Sequence, residues 1–165
     1  MKTLLTLDEK NYTNDMKVFL KHCMRGVIIR DGKLAVQRGK AGEMKILGGG
    51  VEQGEDYKEA LIREVREESG LVVIPASIRE VGKVIEKRRD IFEPDMVYEC
   101  HSYFFLCDAE ETLVETHLTE SEKKKGYELY WATPEEMIEA NQAFFEQPWI
   151  VRDTKFVEMN RTIFL

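Results

Sequence analysis

Residues 46–54 (ILGGGVEQG) hold four glycines in nine positions, and the segment after them, 56–69, reads as a helix with both ends marked. Asp56 with Glu59 three positions on makes a capping box, and Gly70 stands where a left-handed residue ends a helix. So dense a glycine run predicts an irregular loop over 46–54, leading straight into the helix. Backbone without Cβ atoms lets amides and carbonyls approach a phosphate or a metal closely. The loop lacks the Lys-Ser/Thr of a P-loop and the GxGxxG spacing of a dinucleotide fold, so neither of those sites is expected.

Around this unit the pattern is mixed. Residues 22–29 and 33–37 are apolar runs joined by Asp31-Gly32, a hairpin signal. Strand-like runs follow at 78–86 and 96–107, separated by the polar segment KRRDIFEPD, and a short strand is predicted at 128–132. Thr133 and Pro134 fit the N-cap and first position of a helix, and a last helix is predicted over about 148–159. Strands alternating with helices give an α/β (α+β) class in which helices cover a sheet. No linker or repeat divides the 165 residues, so one domain is expected over 1–165.

Glu64, Glu67 and Glu68 are the informative side chains. At about 100° per residue, Glu67 lies roughly 60° to one side of Glu64 and Glu68 roughly 40° to the other. Glu64 and Glu68 are like charges at i,i+4, and Glu67 and Glu68 crowd a C-terminal turn that disfavours anions. Three acids placed against both rules suggest a compensating divalent cation, Mg²⁺ or Mn²⁺ for hard oxygen ligands. The helix alone reads more readily as a solvated charged face, since Glu59, Arg63 and Glu67 follow at i,i+4. The glycine run directly before the helix tips the reading toward a site for a metal-bridged phosphate.

Read as one string, residues 49–71 (GGVEQGEDYKEALIREVREESGL) resemble the signature of the Nudix (MutT-like) hydrolases, G-x5-E-x7-R-E-U-x-E-E-x-G-U, where U is aliphatic. Gly49, Glu55, Arg63, Glu64, Val65, Glu67, Glu68, Gly70 and Leu71 fill every specified position. The likeness extends more loosely over most of the chain but leaves out residues 1–20. It implies a three-layer α/β/α sandwich with a mixed β-sheet, and hydrolysis of a pyrophosphate bond in a nucleoside diphosphate linked to another moiety. It also implies a requirement for Mg²⁺ or Mn²⁺. Carried over, catalytic Glu64, Glu67 and Glu68 are metal ligands, joined by the Gly48 carbonyl. Arg63 and Glu55 form an ion pair that orients the helix against the glycine segment around Gly49. A glutamate outside the box often completes such a site, and Glu120, Glu122 and Glu128 are the candidates. Either Glu64 or one of these accepts the proton of the attacking water. One departure is Leu47, where a proline commonly precedes the glycines.

Charge narrows the ligand. With 24 basic and 31 acidic residues the net charge is −7, a poor footprint for long nucleic acid, so RNA decapping is not expected. A small nucleotide then needs local positive charge, and Arg38, Lys40, Arg88 and its neighbours Lys87 and Arg89 are candidates for the phosphates; solvated turn residues are the alternative. Tyr98, Tyr103, Phe104 and Phe105 alternate along one strand, so some could stack on a base while most belong to the core. His22, His101 and His117 have no ligand spacing, and Trp131 is expected to anchor the sheet.

Subfamily markers are missing. Where ADP-ribose-type members carry a proline this chain reads VIEKRRD, and Lys87 stands near the tyrosine position of diadenosine-polyphosphate members. The NADH-type string and the coenzyme A-type element are also absent, which leaves nucleoside triphosphates, damaged ones included, and nucleotide sugars. The alternative to an enzyme is a Nudix-fold module that senses a nucleotide without cleaving it; such modules usually have eroded boxes, and this one is intact. Three cysteines without a CxxC pair, no signal-like N-terminus and no long apolar run point to the cytoplasm, with no membrane span. The extra N-terminal segment and the aromatic-rich sheet suit a homodimer.

Overall fold

Asp31 and Gly32 both take positive φ, 52° and 75°, so the expected two-residue turn forms where the sequence places it. The computed structural model describes all residues from Met1 to Leu165. In chain order the elements are β1 (Thr3–Asp8), β2 (Lys17–Val27), β3 (Ile29–Arg30), β4 (Lys33–Arg38), β5 (Met44–Gly50) and α1 (Tyr57–Ser69). Then come β6 (Arg79–Arg89), β7 (Met96–Leu106), α2 (Glu120–Lys125), β8 (Glu128–Ala132), α3 (Pro134–Asn141) and α4 (Pro148–Met159). The sheet runs β1-β6-β7-β2-β5-β4-β3, with β8 also on β4. It is mixed: β1 lies parallel to β6 and β2 parallel to β7, and the other pairs are antiparallel.

Alternation along the strands gives the sheet two apolar faces, each with its own core. Met24, Leu47, Leu61, Val65 and Leu71 pack beneath α1. Val36, Ile46, Phe104, Met137 and Phe156 pack beneath α3 and α4, with the Phe104 and Phe156 rings stacked at 3.9 Å between centroids. The result is the expected α/β/α layering. No helix is long and apolar enough to cross a membrane.

One expectation needs correction. The glycine run is a loop only over 51–54: residues 46–50 belong to strand β5, paired with β2 through Met24–Gly49 and Arg25–Gly48. The glycines answer close neighbours instead. A Cβ on Gly48 would meet the Met24 carbonyl oxygen at 1.9 Å, and one on Gly49 would meet the Glu64 carboxyl carbon at 2.5 Å. The N-terminal segment, left outside the resemblance, contributes an edge strand. Leu4 of β1 sits where a Cβ on Gly82 would be, beside a register shift in β6.

Candidate active site

The capping box of α1 forms as expected: Asp56 accepts from the Lys58 amide at 3.1 Å, Glu59 reaches back to the Asp56 amide, and Gly70 closes the helix at φ 79°. With both ends fixed, the acid-bearing face is held against the end of β5. Arg63 organises that face. Its Nε and Nη2 donate to the two Glu55 carboxylate oxygens at 2.6 and 2.9 Å, and Nη2 also reaches the Gly50 carbonyl at 3.0 Å. Its Nη1 donates to Glu64 at 2.9 Å and Glu67 at 3.2 Å, gathering both carboxylates around one nitrogen. Arg63 holds the Glu55 carboxyl below the ordinary carboxylate range. Burial pushes the half-buried Glu64 up, and Arg63 only partly offsets it.

Glu68 is the most enclosed of the three acids, 7% exposed, with one oxygen accepting from the Gly48 amide at 2.8 Å. Its nearest cation is Lys45 Nζ, 4.0 Å from the other oxygen. Burial therefore dominates, and the Glu68 carboxyl is pushed up to about 8. The same Lys45 nitrogen lies 4.0 Å from Glu122, which also accepts from Gln37 at 3.1 Å and from the Thr119 amide at 2.9 Å. Burial opposes ionisation of Glu122, but these hydrogen bonds and Lys45 outweigh it and lower its pKa. Of the three acids suggested from outside the box, the fold thus brings Glu122 beside Glu68. Glu120 is exposed and pairs with Lys123, and Glu128 is exposed on β8 opposite Arg38.

No group of three or more His, Cys, Asp or Glu side chains stands in metal-holding geometry; Arg63 draws Glu64 and Glu67 to itself. The donor set still suits a hard cation. It consists of carboxylate oxygens, Glu68 is buried with only a distant ammonium to balance it, and Gly49 leaves Glu64 room against bare backbone. The Gly48 carbonyl accepts from Arg25 Nη1 at 2.9 Å, which leaves its second lone pair.

Behind the same glycines, on the α4 side of the sheet, lies a chamber of about 240 Å³. Lys21 and Arg25 of β2, Lys45 of β5, Arg88 of β6 and Arg152 of α4 line it, against the single carboxylate of Glu86. Glu86 is buried between two guanidinium groups, Arg88 and Arg152, at 3.0 Å from each. Asp153 pairs with Arg152 Nε at 2.7 Å and accepts from the Ile46 amide at 2.8 Å, so α4 is pinned to β5. The Nε atoms of Arg25 and Arg88 are buried and have no hydrogen-bond partner, although the Glu9 carboxylate lies 4.0 Å from Arg88 Nε. An unsatisfied Arg25 donor on a wall of five cations makes this chamber a candidate anion site. A second cavity of about 320 Å³ shares Lys21, Arg88, Tyr98 and Trp149 with it and adds Phe19 and Phe92.

Of the bases suggested from sequence, Arg88 reaches the chamber. Arg38 lies over the Tyr130 ring at 4.4 Å, Lys40 is exposed, Lys87 pairs with Glu99 at 3.8 Å, and Arg89 donates to the Asn11 carbonyl at 3.0 Å. Tyr98 lines both cavities, whereas Phe104 and Phe105 are core. Sequence reasoning missed Lys21, Arg25, Lys45 and Arg152. Period 2 along Lys21, Cys23 and Arg25 was a usable signal for one polar face, as was Arg152-Asp153 inside an otherwise apolar helix.

The family model for the NUDIX domain matches residues 21–152. No curated protein matches the chain. Among solved structures, the E. coli ORF135 protein is 23% identical with a TM-score of 0.56, covering 93% of this chain and 95% of that one. A NUDIX hydrolase from Nitrosomonas europaea is 22% identical with a TM-score of 0.59, covering 83% and 87%. A MutT NUDIX hydrolase from Burkholderia pseudomallei is 20% identical with a TM-score of 0.56, covering 71% and 85%. At these identities the likeness is one of fold.

Proposed function

The chain belongs to the NUDIX family of hydrolases, and from that premise we propose that it hydrolyses a pyrophosphate bond in a nucleoside diphosphate linked to another moiety, with a divalent cation required. One observation carries the reading: the acids of α1 and the five-cation chamber meet at Gly48 and Gly49, so a polyanion in the chamber would end beside the carboxylates. A chain of net charge −7 thereby offers one concave site of opposite sign.

The roles follow from the geometry. Glu64, Glu67 and Glu68, with the Gly48 carbonyl, would hold Mg²⁺ or Mn²⁺, which supplies charge neutralisation at bridging oxygens and a more acidic water. Arg25 would offer its unpartnered Nε–H to a phosphate oxygen, and Lys21, Lys45 and Arg88 would add positive charge. Arg63 and Glu55 keep the acid face registered against β5. Either Glu64 or Glu122 would take the proton of the attacking water. The aromatic cavity beside the chamber suits a base, with Tyr98 and Trp149 at the junction.

The test is a panel of nucleoside triphosphates and nucleotide sugars incubated with Mg²⁺, with products resolved by chromatography. Turnover of one class, lost with EDTA and in Glu68→Gln, is the expected result. No turnover across the panel, together with ligand-induced thermal stabilisation, would replace the hydrolase with a nucleotide-sensing module.

A further inference from the structure

Cys23 and Cys100 lie diagonally across the parallel strands β2 and β7, whose register pairs Cys23 with Ser102 and Cys100 with Lys21, and their sulfurs are 3.6 Å apart. Both are buried, but Cys23 lines the anion chamber. The third cysteine, Cys107, lies in the core beneath α1, away from that cavity. The hydrolytic chemistry uses none of these thiols.

We propose that Cys23 and Cys100 form a peroxide-reactive thiol pair in the wall of the chamber, Cys23 being the attacking sulfur and Cys100 the resolving one. Three features separate Cys23 from an inert core cysteine. Cys100 donates its S–H toward Cys23. Arg25, Lys21 and Arg152 place positive charge around Cys23, and with the Cys100 hydrogen bond they lower its pKa against the opposing effect of burial. The chamber is a path by which a molecule as small as hydrogen peroxide reaches the sulfur. Cys107 has none of these, and burial pushes its thiol up to about 12.

The chemistry balances in two steps. The Cys23 thiolate attacks one peroxide oxygen; the O–O bond breaks, Cys23 becomes a sulfenic acid, and the other oxygen leaves as hydroxide, which takes up a proton to become water. The Cys100 thiol then displaces the sulfenic hydroxyl, forming the S–S bond and releasing a second water. Two thiols are oxidised and one peroxide is reduced. Oxidation replaces a negative thiolate among the cations by a neutral disulfide, so anion binding should tighten until a reductant restores the pair. That consequence rests on reading the chamber as the substrate's phosphate site; the thiol chemistry does not.

The experiment exposes reduced, metal-free, full-length protein to a few equivalents of hydrogen peroxide, followed by alkylation and peptide mapping by mass spectrometry. The expected result is a Cys23–Cys100 cross-link lighter by two hydrogens, with both thiols lost on the order of tenfold faster than Cys107. In Cys100→Ser, dimedone should trap a sulfenic acid at Cys23; if that variant does not fold, the wild-type cross-link decides alone. Equal rates of loss at Cys23 and Cys107, or no cross-link, would overturn the proposal. Inorganic pyrophosphate in a parallel reaction should slow the loss of Cys23. A cross-link that forms at an unchanged rate with pyrophosphate present would uphold the thiol pair and contradict the phosphate-site reading instead.

Discussion

Arg25 Nη1 donates to the Gly48 carbonyl at 2.9 Å while the Nε of the same guanidinium is buried without a partner. One side chain thus supports a backbone oxygen of the proposed metal site and offers an unused donor to the chamber behind it. This coupling is why the α1 carboxylates and the cationic chamber are read as one site.

Arg25→Ala should therefore reduce kcat/KM by roughly ten- to a hundredfold, the worth of about 1.5–3 kcal/mol for a charged hydrogen bond. Arg25→Lys should recover little of it, because an ammonium does not reproduce the planar donor set. Steady-state kinetics on both variants check this, and a Lys variant at wild-type rate would contradict it.

The two central glycines should fail in different ways. Gly49→Ala would press a methyl group into the Glu64 carboxylate, so activity should fall at least roughly tenfold with the fold retained. Gly48→Ala meets the Met24 backbone and sits at φ 144°, a conformation that favours glycine, so destabilisation of about 1–3 kcal/mol or more is expected. Thermal melts and turnover measured side by side distinguish the two.

Glu68 makes the metal-free protein sensitive to pH. Its carboxyl is pushed up to about 8 in the folded state, so between the ordinary carboxylate range and about 8 the folded protein keeps a proton that the unfolded chain releases. Its contribution to stability is fully present below the unfolded pKa and is lost as pH rises through about 8. Metal-free protein should show a falling Tm across that window, and Glu68→Gln should flatten the slope. An equal slope in the variant would show that another group is responsible.

Much of the architecture was legible because its signals are local. Asp56, Glu59 and Gly70 bracket α1, Thr133-Pro134 opens α3, and 128–132 and 148–159 match β8 and α4. The misreading of 46–50 as loop has a physical cause: Gly48 and Gly49 are required by Met24 and Glu64, neighbours in space that composition does not reveal. α2 was overlooked although Thr119 and Glu122 form a capping box and Gly126 ends it in the left-handed region. The box residues could be named from the resemblance of 49–71 to the Nudix signature. The chamber could not, because its cations come from β2, β5, β6 and α4 and converge only in the folded sheet.

The most direct test of the central account is turnover of the nucleotide panel with Mg²⁺, measured for wild type and Glu68→Gln in parallel. The account expects one substrate class to be cleaved by wild type, with loss of cleavage in the variant and in EDTA. Full turnover by Glu68→Gln, or in the presence of EDTA, would contradict it.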